Sequence, residues 1–264
     1  MVERTVLVDG NAGPIEVRVS GRGGAVVLIA SLGRGATDFD TLAVQLVDAG
    51  YQVICPEPRG VGRSAIGPAN PTLADLADDI AAVIRVVADT VPVTVGGHAF
   101  GNRVARMVAT TAPELVDRVV LFACGGKIPP APDAARALVA VFDDSLSSPD
   151  HMRAVQTAFF APGNDPTVWD RGWHGPTAAI QRHASGAVAA AQWWSAGRAS
   201  VLVIQPADDV IAPPGNALDI IEQLGDRATL VTIANAGHAL LPEQPDAVAD
   251  ALIHWLEHGV GRGA

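Results

Sequence analysis

Five short runs constrain the fold more than anything else in the chain. They are "AVVLIA" (Ala25–Ala30), "YQVIC" (Tyr51–Cys55), "PVTVG" (Pro92–Gly96), "RVVLFAC" (Arg118–Cys124) and "SVLVIQ" (Ser200–Gln205). Each is apolar almost throughout, so each reads as a strand covered on both faces. Helical patterns stand between them. Asp38–Ala49 has Thr37 or Asp38 placed to cap it and Gly50 to end it. Leu73–Ala88 follows Thr72, with Asp75 where a capping box wants an acid. Phe100–Thr111, Pro214–Leu224 and Asp246–His258 are the other helices, and Ala228–Ala234 is a further strand. Strand and helix in alternation demand right-handed crossovers, hence a mostly parallel sheet with helices on both faces. At the start, Thr5–Asp9 and Ile15–Ser20 alternate around Gly10-Asn11-Ala12-Gly13, which predicts an antiparallel hairpin at one edge.

The alternation breaks once, from Lys127 to Ala199. This stretch is helical in character and holds Trp169, Trp173, Trp193 and Trp194, together with the Phe159-Phe160 pair. It predicts a helical cap over residues 127–199, inserted into a core domain made of 1–126 and 200–264. Such a cap would cover the C-terminal edge of the sheet, where open α/β folds bind ligands. Rings of this kind suit an apolar or aromatic small molecule.

Composition removes several classes of function. The formal net charge is −10, and no basic stripe matches a nucleic-acid backbone. No apolar run reaches the ~20 residues of a membrane helix. The first residues alternate and lack the basic start of a secretory signal, so a cytoplasmic protein is expected. The cysteines, Cys55 and Cys124, each close an apolar run without metal spacing and are expected as free, buried thiols. His151, His174 and His183 have no metal-site spacing either. Oligomeric state is not legible.

The chemistry gathers at "VTVGGHAFGNRVARMVA" (Val93–Ala109), a strand, a glycine turn and a helix. A G-x-S-x-G turn of this kind holds a nucleophile above the sheet edge, against the N–H groups of a helix start. Here the tip is Ala99. The glycines fit neither a dinucleotide fingerprint, because His98 stands where a glycine is needed, nor a phosphate loop, because Asn102-Arg103 follows. Downstream, "QPADDVIAPP" sets an acid just after a buried strand, with Asp209 favoured and Asp208 the alternative. "ANAGHALLPEQP" then sets His238 on a loop after the last strand. In such a set the histidine takes the nucleophile's proton and the acid orients the ring. Oxyanion donors are assigned to the amides of Leu32, within one residue, and Phe100. Arg34, beside that first turn, would bind a substrate carboxylate or face solvent. His98 is expected to pack. Trp169, Trp173 and Trp194 are the candidate substrate contacts.

The turn Ser31-Leu32-Gly33, "PRGVGRS", "GGHAFGN", "DDVIAP" and "GHALLPEQP" together resemble the α/β-hydrolase superfamily over nearly the whole chain. The Ser31-Leu32-Gly33 turn resembles that of enol-lactone hydrolases in particular. The resemblance implies an α/β-hydrolase fold, with a mostly parallel sheet, helices on both faces and a helical cap. It also implies a carboxylic-ester or lactone hydrolase with the nucleophile at 99, His238 as base and Asp209 orienting it, needing no metal or organic cofactor. Ala99 departs from the pattern. Either it is a constructed Ser-to-Ala substitution that inactivates the enzyme, or it is natural. A natural alanine implies a binder, or a His–Asp base catalyst resembling the cofactor-free dioxygenases of this fold.

Overall fold

The computed structural model describes residues 3–259. A hairpin opens the chain, β1 (Arg4–Gly10) and β2 (Gly13–Ser20), followed by β3 (Ala25–Ile29), α1 (Asp40–Asp48), β4 (Gln52–Pro56), α2 (Leu73–Val87), β5 (Val93–His98), α3 (Gly101–Thr111) and β6 (Val116–Phe122). Three helices come next: α4 (Pro132–Ala140), α5 (Ser148–Phe159) and α6 (Gly175–Gly186). The chain then returns through β7 (Ser200–Pro206), α7 (Gly215–Leu224), β8 (Ala228–Ile233), α8 (Leu240–Glu243) and α9 (Pro245–His258).

The strands form one eight-stranded sheet in the order β1-β2-β4-β3-β5-β6-β7-β8. β2 is antiparallel to both β1 and β4, and all later pairs are parallel. This is the mostly parallel sheet expected from the alternation, with the expected antiparallel hairpin at one edge, and it agrees with the fold that the resemblance implies. The strand order reverses at β3, since β4 lies on one side of it and β5 on the other. Loops leaving β3 and β5 therefore diverge, and the crevice between them is where such sheets take ligands.

Side-chain alternation divides the core into two layers. Val27, Val95, Val119 and Val203 face α2, α3 and α7. Val26, Leu28, Val120, Phe122 and Leu202 face α1 and α9. The helix α2 answers with Leu73, Leu76, Ala77, Ile80, Ala81, Ile84 and Val87 on one stripe, the 3.6-residue spacing that a sheet-packed helix needs. Thr72 caps it: the Asp75 amide donates to Thr72 Oγ1 at 3.2 Å and the Thr72 amide donates to Asp75 Oδ2 at 2.7 Å.

Two expectations need correction. Asp38–Ala49 is not one helix but a 3-10 turn, Ala36–Phe39, followed by α1, with no side-chain cap on either. Asp38 cannot cap because its carboxylate is taken by Arg34. The elbow strand also runs past Gly96 to His98, since Gly97 pairs with Ile29 and His98 with Phe122.

The segment 127–199 packs in two ways. Val141, Val155, Phe159 and Trp169 form a small cluster of their own, joined by Ala239. Ala184, Trp193, Ala196 and Ala199 instead belong to the layer beneath α2 and α3. The last part of the segment is thus built into the sheet's core. No helix among the described residues is long and apolar enough to cross a membrane.

Candidate active site

Between β5 and α3 the chain turns through Ala99 and Phe100 alone. Ala99 has φ 51, a left-handed conformation that costs an L side chain about 1–2 kcal/mol. Its surroundings enforce it. The Ala99 amide donates to Phe122 O at 3.0 Å, and the Asn102 amide to Ala99 O at 3.1 Å. Asn102 Nδ2 donates to Phe122 O and Ala123 O at 3.0 and 3.2 Å. A Cβ on Gly97 would lie 2.2 Å from the Gly101 carbonyl carbon, and one on Gly101 would lie 2.3 Å from Ile29 O. Only glycine lets the backbone close this tightly.

His238, on the loop after β8, places Nδ1 2.9 Å from Asp209 Oδ2 and 3.1 Å from Oδ1. A carboxylate can only accept, so Nδ1 donates and Nε2 is left as the basic nitrogen. The Ile211 and Ala212 amides fix the carboxylate by donating to Asp209 Oδ1 at 2.9 and 2.7 Å. Both side chains are buried, each residue 3% exposed. Asp208 is exposed, and its amide donates to Ala236 O, so of the two aspartates it is Asp209 that meets the histidine. The loop is braced by Glu243, which accepts from the amides of Gly237 and Ala161 at 2.7 Å each and from Asn164 Nδ2 at 2.7 Å.

His98 does more than pack. Its Nε2 donates to the His238 carbonyl at 2.8 Å, and the two rings lie 5.2 Å apart. His98 Nδ1 is buried without a partner. Burial, reinforced by His238 beside it, lowers the His98 pKa to about 3, which fixes this ring as neutral.

Ala99, His238, Leu32 and Phe100 open on one cavity of about 350 Å³. The Leu32 and Phe100 amides have no hydrogen-bond partner among the described residues, as oxyanion donors require. Two contacts tie the turn holding Leu32 to the segment around α6: the Gly33 amide donates to Gln181 Oε1 at 2.7 Å and the His174 amide to Gly33 O at 2.8 Å; a third, Thr177 Oγ1 to Arg59 O at 2.8 Å, ties α6 to the loop after β4. Trp169 and Trp173 line the cavity with Phe159, and Trp173 Nε1 donates to Trp169 O at 2.8 Å.

Arg34 and Trp194 depart from expectation. Arg34 is 4% exposed rather than solvated. It donates to both oxygens of Asp38, at 3.0 and 2.6 Å, and to Arg171 O at 2.7 Å, and it lies 4.5 Å from both the Trp169 and Trp173 rings. With its charge answered by Asp38, it clamps the Leu32 turn to the segment holding Trp169, Arg171 and Trp173, and it also lines the cavity. Trp194 does not line the cavity. It packs 4.7 Å from the buried guanidinium of Arg106, in the core layer with Trp193. A larger cleft of about 500 Å³ lies on the far side of Arg34 and Trp169 and holds none of residues 99, 209 and 238.

Sequence reasoning missed Arg103 and Arg182, which also line the cavity. Arg103 had a signal: it stands four residues, one helical turn, after Ala99. Arg182 had none. Cys55 and Cys124 are free and buried, as expected. No group of three or more potential metal-binding side chains exists among the described residues.

The sequence model of the Alpha/beta hydrolase family matches residues 26–251. BpoC of Mycobacterium tuberculosis is 27% identical over 269 residues, 94% of this chain and 95% of BpoC. The BpoC crystal structure superposes with a TM-score of 0.78 at 26% identity, covering 99% of this chain and 98% of that one. The (E)-2-((N-methylformamido)methylene)succinate hydrolase of Acinetobacter baylyi is 25% identical over 270 residues, 97% of this chain and 99% of the hydrolase. Rv2715, an uncharacterized protein of M. tuberculosis, is 33% identical over 109 residues, which is 41% of this chain but only 31% of Rv2715.

Proposed function

The chain belongs to the alpha/beta hydrolase family, and from that premise we propose that its cavity is the acyl site of a carboxylic-ester or lactone hydrolase, held inactive by alanine at the nucleophile position. The observation that carries this reading is the buried His238–Asp209 pair, which opens on the same cavity as a strained elbow tip. With a hydroxyl at residue 99, Oγ attacks the substrate carbonyl carbon and its proton passes to His238 Nε2. The Leu32 and Phe100 amides receive the oxyanion. His238 then protonates the leaving oxygen, and a water deprotonated by the same nitrogen releases the acid. Trp169, Trp173 and Phe159 favour an apolar or aromatic substrate. The Acinetobacter relative, named as a hydrolase, supports the reaction class.

The test is Ala99→Ser, assayed on aryl esters and lactones. The variant gains turnover that the unmodified chain lacks, apart from the ~10³–10⁴-fold acceleration over water that a triad without one member can keep. An Ala99→Ser protein that folds but hydrolyses none of them would end this reading. A second reading is favoured by one fact: the His238–Asp209 pair is complete without any hydroxyl to deprotonate. In it the alanine is native, and the histidine is either a base acting on the bound molecule or part of a binding pocket. Turnover with Ala99 in place, lost in His238→Ala, would select the base; binding without turnover in any variant would select the pocket.

A further inference from the structure

The cavity has a charge pattern that acyl transfer alone does not use. The chain carries a formal charge of −10. Yet among the described residues lining the cavity there is no Asp or Glu, whereas Arg34, Arg103 and Arg182 are all present. Asp38 answers Arg34. No carboxylate among the described residues pairs with the other two. Burial lowers the pKa of each, and no carboxylate stands close enough to oppose that shift. Arg103 is half-buried and Arg182 is exposed at the cavity wall, so each guanidinium is left free to meet an anionic ligand there.

The two guanidiniums lie over aromatic rings, Arg103 at 5.7 Å from the Trp193 centroid and Arg182 at 4.7 Å from that of Phe142. Stacking of this kind uses the flat face and leaves the N–H edge free to donate. Ser185 stands three residues after Arg182 in α6, so the two share a helix face, and it lines the same cavity. Its hydroxyl has no partner among the described residues. The charge extends behind Arg103. A groove of about 480 Å³ shares Arg103, Gly125 and Gly126 with the cavity and adds Lys127, which Asp219 faces at 4.0 Å. Beneath it Arg106 is fully buried between Trp193 and Trp194, with no carboxylate partner.

We infer that the cavity takes its ligand as a carboxylate: Arg103, Arg182 and Ser185 hold the anionic end, and the rings of Trp169, Trp173 and Phe159 hold an apolar body. Two arginine forks and a hydroxyl match the in-plane acceptor sites of a carboxylate. The inference rests on the hydrolase reading only for where a scissile carbonyl would lie; the anion site itself needs no turnover.

The experiment compares 4-phenylbutyrate with its uncharged amide, 4-phenylbutyramide, by calorimetry on the unmodified chain and on Arg103→Gln, Arg182→Gln and Arg103→Lys. Thermal unfolding checks that each variant is folded. The acid binds at least about tenfold more tightly than the amide, and each glutamine variant loses roughly tenfold for the acid while the amide is unaffected. Arg103→Lys restores part of the loss, and added salt weakens only the acid. Equal binding of acid and amide, no binding of the acid, or glutamine variants that bind the acid like the unmodified chain overturns the inference. The hydrolase reading fails separately. An Arg-dependent preference for the acid alongside an inert Ala99→Ser protein leaves the anion site standing, whereas an active Ala99→Ser protein with no such preference leaves only the hydrolase.

Discussion

At the scale of single residues, the elbow and its partners set the sharpest expectations. Gly97 has no room for a methyl group, because the atoms it would strike are backbone atoms of Gly101 and Asn102. Gly97→Ala should therefore cost about 3 kcal/mol or more, beyond ordinary overpacking, since no side chain can move aside. Urea unfolding measures this, and a loss under ~1 kcal/mol would mean that the turn is looser than described. Asp209 offers a second test. In the Ala99→Ser background, Asp209→Asn keeps the shape but can present an amide N–H to His238 Nδ1, favouring the wrong tautomer. It should lower kcat by up to roughly 10⁴-fold without a matching change in KM. A fall in affinity alone would make Asp209 a purely structural neighbour.

At the scale of elements, local signals and tertiary ones part company. Thr72→Ala removes the capping oxygen of α2 and should destabilise the protein by about 1 kcal/mol, read from the denaturation midpoint, with ligand binding unchanged. Arg34 acts between elements. Its removal leaves Asp38 buried and unpaired, and frees Arg171 O and the faces of Trp169 and Trp173. Arg34→Ala should cost about 3–5 kcal/mol and speed amide exchange in residues 166–174 and 31–35 together; exchange that rises in one segment alone would refute the clamp. This contrast explains what could be read beforehand. The cap of α2, the glycines of the elbow and the apolar strands all obey rules spanning a few residues, so sequence carries them. Asp38 looked like a helix cap because its true partner, Arg34, binds it sideways and also reaches Arg171, far along the chain. Trp194 looked like a cavity wall because aromatic residues in a cap suggest one, yet its ring is claimed by Arg106. Arg182 joins the cavity only through the packing of α6, which no local pattern encodes.

At the scale of the whole molecule, the order of elbow, acid and histidine along the chain was legible, while their meeting depended on a sheet whose order reverses at β3. The pH response is also a property of the entire fold. His98 has a folded pKa near 3 against an ordinary 6.5, because burial disfavours its charged form. Between those values the unfolded chain binds the extra proton, so stability rises with pH from about 3 to 6.5 and this contribution is complete above that range. Relative to His98→Asn, the unmodified protein should gain stability across that window and none above it; a flat difference in unfolding free energy would show that the ring titrates normally. Finally, the elbow keeps Ala99 at φ 51 with every supporting contact in place. Any alanine codon becomes a serine codon through one first-position base change. In genetic terms the silent and hydroxyl-bearing forms are immediate neighbours, and a lineage can pass between them without rebuilding any other part of the scaffold.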